Sequence, residues 1–171
     1  MIRRHNLASV LAALALSVAA ATAMATGDAQ VRPFVRGSWQ QIKTTHASQP
    51  VVIHFWGVTC APCGVEMPIW GQLVKERADL KLVTIHADRI PPDTRAVPRM
   101  LSDAGLASTE GWTFAERFQE PLRFEVDPEW RGEIPMTLLI GRDGLVKTII
   151  GSAEPHDIRA WLDEQKKVAT R

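Results

Sequence analysis

The chain predicts an α/β fold, a central mixed β-sheet flanked by α-helices, on three observations. Short apolar runs of strand length alternate with segments of helical spacing from residue 51 onward. Arg142-Asp143-Gly144 between two apolar runs is a hairpin signal near the C-terminus. A Cys-x-x-Cys, Cys60 to Cys63, stands where an apolar strand gives way to a helix.

Taken in order, residues 1–25 form a leader. Arg3 and Arg4 make a positive start, Leu7 to Ala21 is apolar and uncharged, and Ala23-Met24-Ala25 supplies a small-residue cleavage pattern. The mature chain is expected to begin at Thr26, and residues 26–171 form one domain. A membrane anchor is the alternative if the leader stays on, although its alanine-rich run is weakly hydrophobic for a stable span. Either way the chain is exported, to a bacterial periplasm.

Residues 26–37 read as irregular because of Pro33 and Gly37, and Ser38 is placed to cap a helix reaching about His46. Pro50 precedes a strand over 51–56, and a helix follows from Cys60 to about Arg77, with a kink expected at Pro68. Leu80 to His86 is a second strand. Pro98 suits the first turn of a helix ended by Gly105. Residues 109–120 read as helical around Trp112, Phe114 and Phe118, and Leu122 to Val126 as a short extended piece. Met136–Ile140 and Leu145–Ile150 are hairpin strands, and a last helix runs from Pro155 to about Lys167.

Without Arg3 and Arg4, 18 Lys and Arg remain against 19 Asp and Glu. That balance gives no electrostatic case for nucleic acid or an anionic membrane surface. The 171 residues, less the leader, suffice for one well-buried domain.

The two cysteines are the only ones in the chain. Structural zinc needs four ligands and no partner motif exists; a staple across two intervening residues would constrain little chain. Thiol–disulfide exchange fits best. The free N–H groups and dipole of the helix start favour a thiolate at Cys60, the nucleophile, and Cys63 one turn in can resolve a mixed disulfide.

Phe55-Trp56 with Cys60-Ala61-Pro62-Cys63, then Glu66 and Pro68, resembles the TlpA/ResA branch of the thioredoxin superfamily, bacterial periplasmic disulfide reductases. Ile134-Pro135-Met136-Thr137 resembles that family's Ile/Val-Pro-x-Thr segment, and the 71 positions from Cys63 to Ile134 suit its inserted elements. The resemblance covers residues 34–167 and implies a thioredoxin-like fold. It implies that Pro135 is cis, that Ile134 and Pro135 meet an extended substrate peptide, and that Trp56 covers the disulfide as a groove wall. It implies that Glu66 is a partly buried carboxyl carrying protons to and from the thiols, and that Pro62 goes with reducing behaviour. The expected partners are exported proteins bearing disulfides and a membrane thiol transporter as electron donor, near cytochrome c maturation; no cofactor and no metal are implied.

Two positions depart from the family pattern. Thr59 stands where tryptophan usually precedes the first cysteine, which opens the surface at Cys60. His54 stands six residues before Cys60, where it can relay protons near Cys63 or serve as a hydrogen-bonded core residue. His86 on the next strand suggests a weaker copper-delivery alternative through the cysteines. A disulfide-donating oxidase is the other alternative. The charged segment 123–133 around Trp130 is the candidate for partner selection or, equally, a solvated connector.

Overall fold

A computed structural model describes residues 29–88 and 93–168. The leader and its cleavage site therefore lie outside the described residues. Among these residues, no helix is long and apolar enough to cross a membrane.

The element order is β1 (Val31–Phe34), α1 (Ser38–Thr45), β2 (Val51–Trp56), α2 (Ala61–Glu76), β3 (Leu82–His86), α3 (Ala96–Asp103), β4 (Glu110–Phe114), α4 (Glu120–Val126), β5 (Met136–Ile140), β6 (Val146–Ile150) and α5 (Pro155–Val168). One six-stranded sheet runs β1-β4-β3-β2-β5-β6. The first four strands in that order are parallel, β5 is antiparallel to β2, and β6 is antiparallel to β5. The mixed sheet and flanking helices are those of the thioredoxin fold.

β2 lies between β3 and β5, and every residue in it is buried. Alternate side chains go to opposite faces, so its near-continuous apolar run serves two cores. Val52 and Trp56 pack with Cys63, Met67 and Trp70 of α2, Val97 and Leu101 of α3, and Ile158 and Leu162 of α5. Ile53 and Phe55 face Trp39 and Ile42 of α1, Leu122 of α4, and Trp130. All six tryptophans are buried.

Three sequence expectations are corrected. Residues 110–114 are a strand, not a helix. Trp112 and Phe114 share a face at period two and both pack on Phe34. Phe118, which a helical reading would bury with them, is 66% exposed. Residues 120–126 are helical rather than extended. Pro121 fits the first turn, and the inward Leu122 beside the outward Phe124 only imitates alternation. Residues 31–34 form an edge strand, where a proline costs little because one side has no ladder to lose.

The hairpin between β5 and β6 turns as its residues suggest. Gly144 has φ 79°, and the Asp143 side chain accepts the Leu145 N–H at 3.0 Å. β6 is an edge strand whose Val146 and Ile150 are exposed.

Helix α2 meets the end of α3 at Gly71. A Cβ there would stand 1.8 Å from the Ala104 carbonyl oxygen. Backbone cannot move aside cheaply, so Gly71→Ala should lower stability by about 2 kcal/mol. Urea unfolding checks this; an unchanged midpoint would mean that α2 and α3 can slide apart without loss.

Candidate active site

β2 ends at Trp56, and after three intervening residues Cys60 takes the N-cap of α2 in extended backbone, φ −87° and ψ 105°. Its Sγ accepts the Cys63 N–H at 3.3 Å, one of the donors that a helix start leaves without an intrahelical partner. The two cysteines form a disulfide, S–S 2.08 Å. Their exposure differs: Cys60 is partly exposed, while Cys63 is fully buried under α2. Ala61, Pro62 and Val65 surround Cys60 with exposed small and apolar surface.

The loop before β5 closes the other side. The Ile134–Pro135 bond is cis, and the Ile134 carbonyl oxygen lies 3.7 Å from Cys60 Sγ. Ile134 is half-buried and Pro135 is buried, so Ile134 presents the accessible surface there. Trp56 is placed otherwise than the sequence suggests. It is fully buried, stacked edge-on against His86 with ring centres 5.4 Å apart, and cannot form a groove wall. A residue with no exposed surface packs beneath the disulfide rather than beside a substrate.

Glu66 is buried one turn beyond Cys63, 2% exposed. Its Oε1 accepts the Trp70 indole N–H and the Ala153 backbone N–H, both at 3.0 Å. Oε2 is buried without a hydrogen-bond partner. Burial pushes the carboxyl above the usual Glu range; the Ala153 and Trp70 donors, and the nearby Ser152 hydroxyl, pull it part of the way back. Ala153 was not legible as a partner, because only the fold brings residue 153 to α2; Trp70 lies at i+4 from Glu66 on the same helix.

His54 lies on the same face of the sheet, its ring 5.1 Å from Trp70. Nδ1 bonds Thr137 Oγ1 at 3.0 Å, and Nε2 is buried without a partner. Burial lowers its pKa to about 3, so the ring is neutral throughout the working range. Thr137 is its cross-strand neighbour in the β2–β5 register.

A second polar group escaped the sequence reading. Asp88, just past β3 and 4% exposed, accepts the Thr59 backbone N–H on Oδ2 at 2.9 Å. His86 Nε2 lies 3.3 Å from the same oxygen, and His86 Nδ1 is 2.9 Å from Thr113 Oγ1. A His-Ala-Asp run at a strand end carries no motif, and only the β3–β4 register shows its partners. His86 is thus engaged by Asp88 and Thr113. Among the described residues, no group of three or more His, Cys, Asp or Glu converges as a metal site would need.

The segment 123–133 is partly helix and firmly anchored. Trp130 packs on Phe55 at 4.6 Å between ring centres and donates its indole N–H to the Glu133 carbonyl oxygen. Arg123 is buried as well, leaving Phe124 as the exposed apolar group.

A sheet of this order with a dithiol at the start of α2 defines a thioredoxin-fold thiol–disulfide oxidoreductase. Comparison with known proteins narrows the class. No family model matches. The chain is 26% identical over 133 residues to the thiol-disulfide oxidoreductase ResA of Geobacillus thermodenitrificans, covering 72% of this chain and 67% of that one. Its fold is similar to a secreted disulfide oxidoreductase of Mycobacterium tuberculosis homologous to E. coli DsbE, TM-score 0.57 and 15% identity, covering 71% and 85% of the two chains. It is also similar to StoA of Bacillus subtilis, TM-score 0.51 and 21% identity, covering 67% and 83%. The chain has the thioredoxin fold and is similar in sequence to a ResA thiol-disulfide oxidoreductase.

The neutral His54 makes stability depend on pH. Unfolded, a histidine binds its proton near pH 6.5; folded, His54 does so only near 3. Its contribution is therefore present above pH 6.5 and lost as pH falls towards 3. Between pH 7 and pH 5 the loss should reach about 2 kcal/mol. His54→Asn should flatten that slope in urea titrations at the two pH values; an undiminished slope would place the effect elsewhere.

Proposed function

We propose that this protein is an exported disulfide reductase that acts on protein substrates through Cys60 and Cys63. The unequal exposure of the two sulfurs supports this reading most directly: one atom is open to a substrate and the other is kept for the second step. The exported setting rests on the leader pattern and on similarity to a secreted relative. A membrane thiol transporter as electron donor and a place near cytochrome c maturation belong to the same proposal. Pro62 inside the dithiol favours reduction, with a potential near the thioredoxin value of about −270 mV.

In the reduced protein, the Cys60 thiolate attacks one sulfur of a substrate disulfide. The substrate S–S bond breaks, its second sulfur leaves as a thiolate and takes up a proton, and Cys60 holds the first in a mixed disulfide. Cys63 then loses its proton and attacks Cys60 Sγ, and the substrate leaves as a second thiolate. Two electrons have passed to the substrate, and Cys60–Cys63 ends as the disulfide seen here. An extended substrate strand can pair with the backbone at Ile134, beside the sulfur.

Because Cys63 is fully buried, its proton must move through the protein. Glu66 is the proposed carrier: burial raises its pKa above the usual carboxylate range, the direction that suits a carboxyl to accept and return a proton. His54, neutral and with Nε2 unpartnered, is the proposed second proton-handling group on that face.

Two experiments test this. Cys63→Ala should trap exported proteins with paired cysteines on Cys60 as adducts that dithiothreitol releases. Adducts forming instead on Cys63 in Cys60→Ala would reverse the roles. Glu66→Gln should slow insulin reduction about tenfold and remove a bend from the pH–rate profile. A profile identical to that of the unaltered protein would reject the proton-carrier role.

A further inference from the structure

We propose that Asp88 is a positioning residue for the nucleophile: its carboxylate anchors the turn that presents Cys60 and sets a negative charge beside the thiol. The inference rests on Cys60 being the attacking sulfur. Three contacts carry it. Asp88 Oδ2 accepts the N–H of Thr59, the residue bonded to Cys60. Asp88 Oδ1 fills the space beside Gly57, where a Cβ would stand 1.7 Å from it; no other side chain fits the turn while the carboxylate is in place. The Asp88 carbonyl oxygen accepts Gln119 Nε2 at 2.7 Å, which ties the group to the segment before α4.

His86 completes the arrangement. A carboxylate only accepts, so Nε2 carries the ring hydrogen towards Asp88, and Nδ1 takes the Thr113 hydroxyl. Burial holds the His86 pKa down, against the pull of Asp88, so the ring supplies a hydrogen bond without a balancing positive charge. The Cys60 sulfur then feels two opposed influences. The Cys63 N–H and the start of α2 favour a thiolate, and the Asp88 carboxylate opposes it. Thr59 is itself exposed and contributes through its backbone.

Asp88→Asn separates charge from anchoring, because the amide oxygen still accepts the Thr59 N–H. In the full chain carrying Cys63→Ala, the ultraviolet absorbance of the thiolate against pH reports Cys60 alone. Asp88→Asn should move that titration down by about half a unit to one unit. Asp88→Ala should do the same and also lower the unfolding midpoint. A folded Asp88→Asn protein with an unmoved or raised titration would overturn the proposal, whatever its stability. If Asp88→Asn does not fold, Gly57→Ala gives a second route. Its methyl group displaces the carboxylate, so it should shift the Cys60 titration downward with Asp88 still present, and an unmoved titration in folded Gly57→Ala overturns the proposal. The titration needs no turnover, so it is independent of whether the reductase reading survives the trapping experiment.

Discussion

The whole molecule hangs on a strand that is buried on both faces and flanked on both sides. β2 has hydrogen-bonded neighbours at β3 and β5, so neither its register nor its facing can slip without emptying two cores. Fixing β2 fixes the point at which the chain leaves the sheet after Trp56. From there three residues lead to the N-cap of α2, and the turn is short enough that the position of Cys60 follows from that of the strand. The cis bond before Pro135 belongs to the same constraint, since β5 is the antiparallel partner of β2 and begins at Met136.

The two faces of the sheet are built differently. The face under α1 and α4 is aromatic and apolar, with Phe55, Trp39, Trp130 and Trp112 packed together. The face under α2 carries the strands' own buried polar side chains, His54, Thr84, His86 and Thr137, together with Glu66 from the helix. Each strand pays for a polar residue on that face with a cross-strand or helix partner, and the atoms left over there are Trp56 Nε1, Glu66 Oε2 and His54 Nε2, the last two belonging to the groups proposed to handle protons. Polar burial is thus concentrated on the side that holds Cys63.

Much of this was legible in the sequence, and the limits have physical causes. β2, α2, the hairpin and α5 carry strong local signals: continuous apolar burial, a capped helix start, a glycine turn and an amphipathic period. β4 and α4 did not, because Glu110 to Phe114 is a short strand whose second aromatic is followed by the exposed Phe118, and single-turn signals cannot separate period two from period 3.6 over five residues. The site showed the same division. Cys60, Cys63, Glu66 and Pro135 stand in local motifs, whereas Asp88 matters through Thr59, 29 residues away, which only the fold reveals. Trp56 was misplaced for a related reason: a sequence shows that an aromatic is near a disulfide but not on which side of the surface it lies.

The burial of Cys63 has a consequence for the order of events. With one sulfur closed off from solvent, the proposed reaction has both the molecule that delivers electrons and the one that receives them meet Cys60. They cannot be engaged together. A dithiol arranged in this way is a shuttle with a single berth, visited in alternation, so that its turnover at saturation combines two half-reactions that follow one another and cannot overlap.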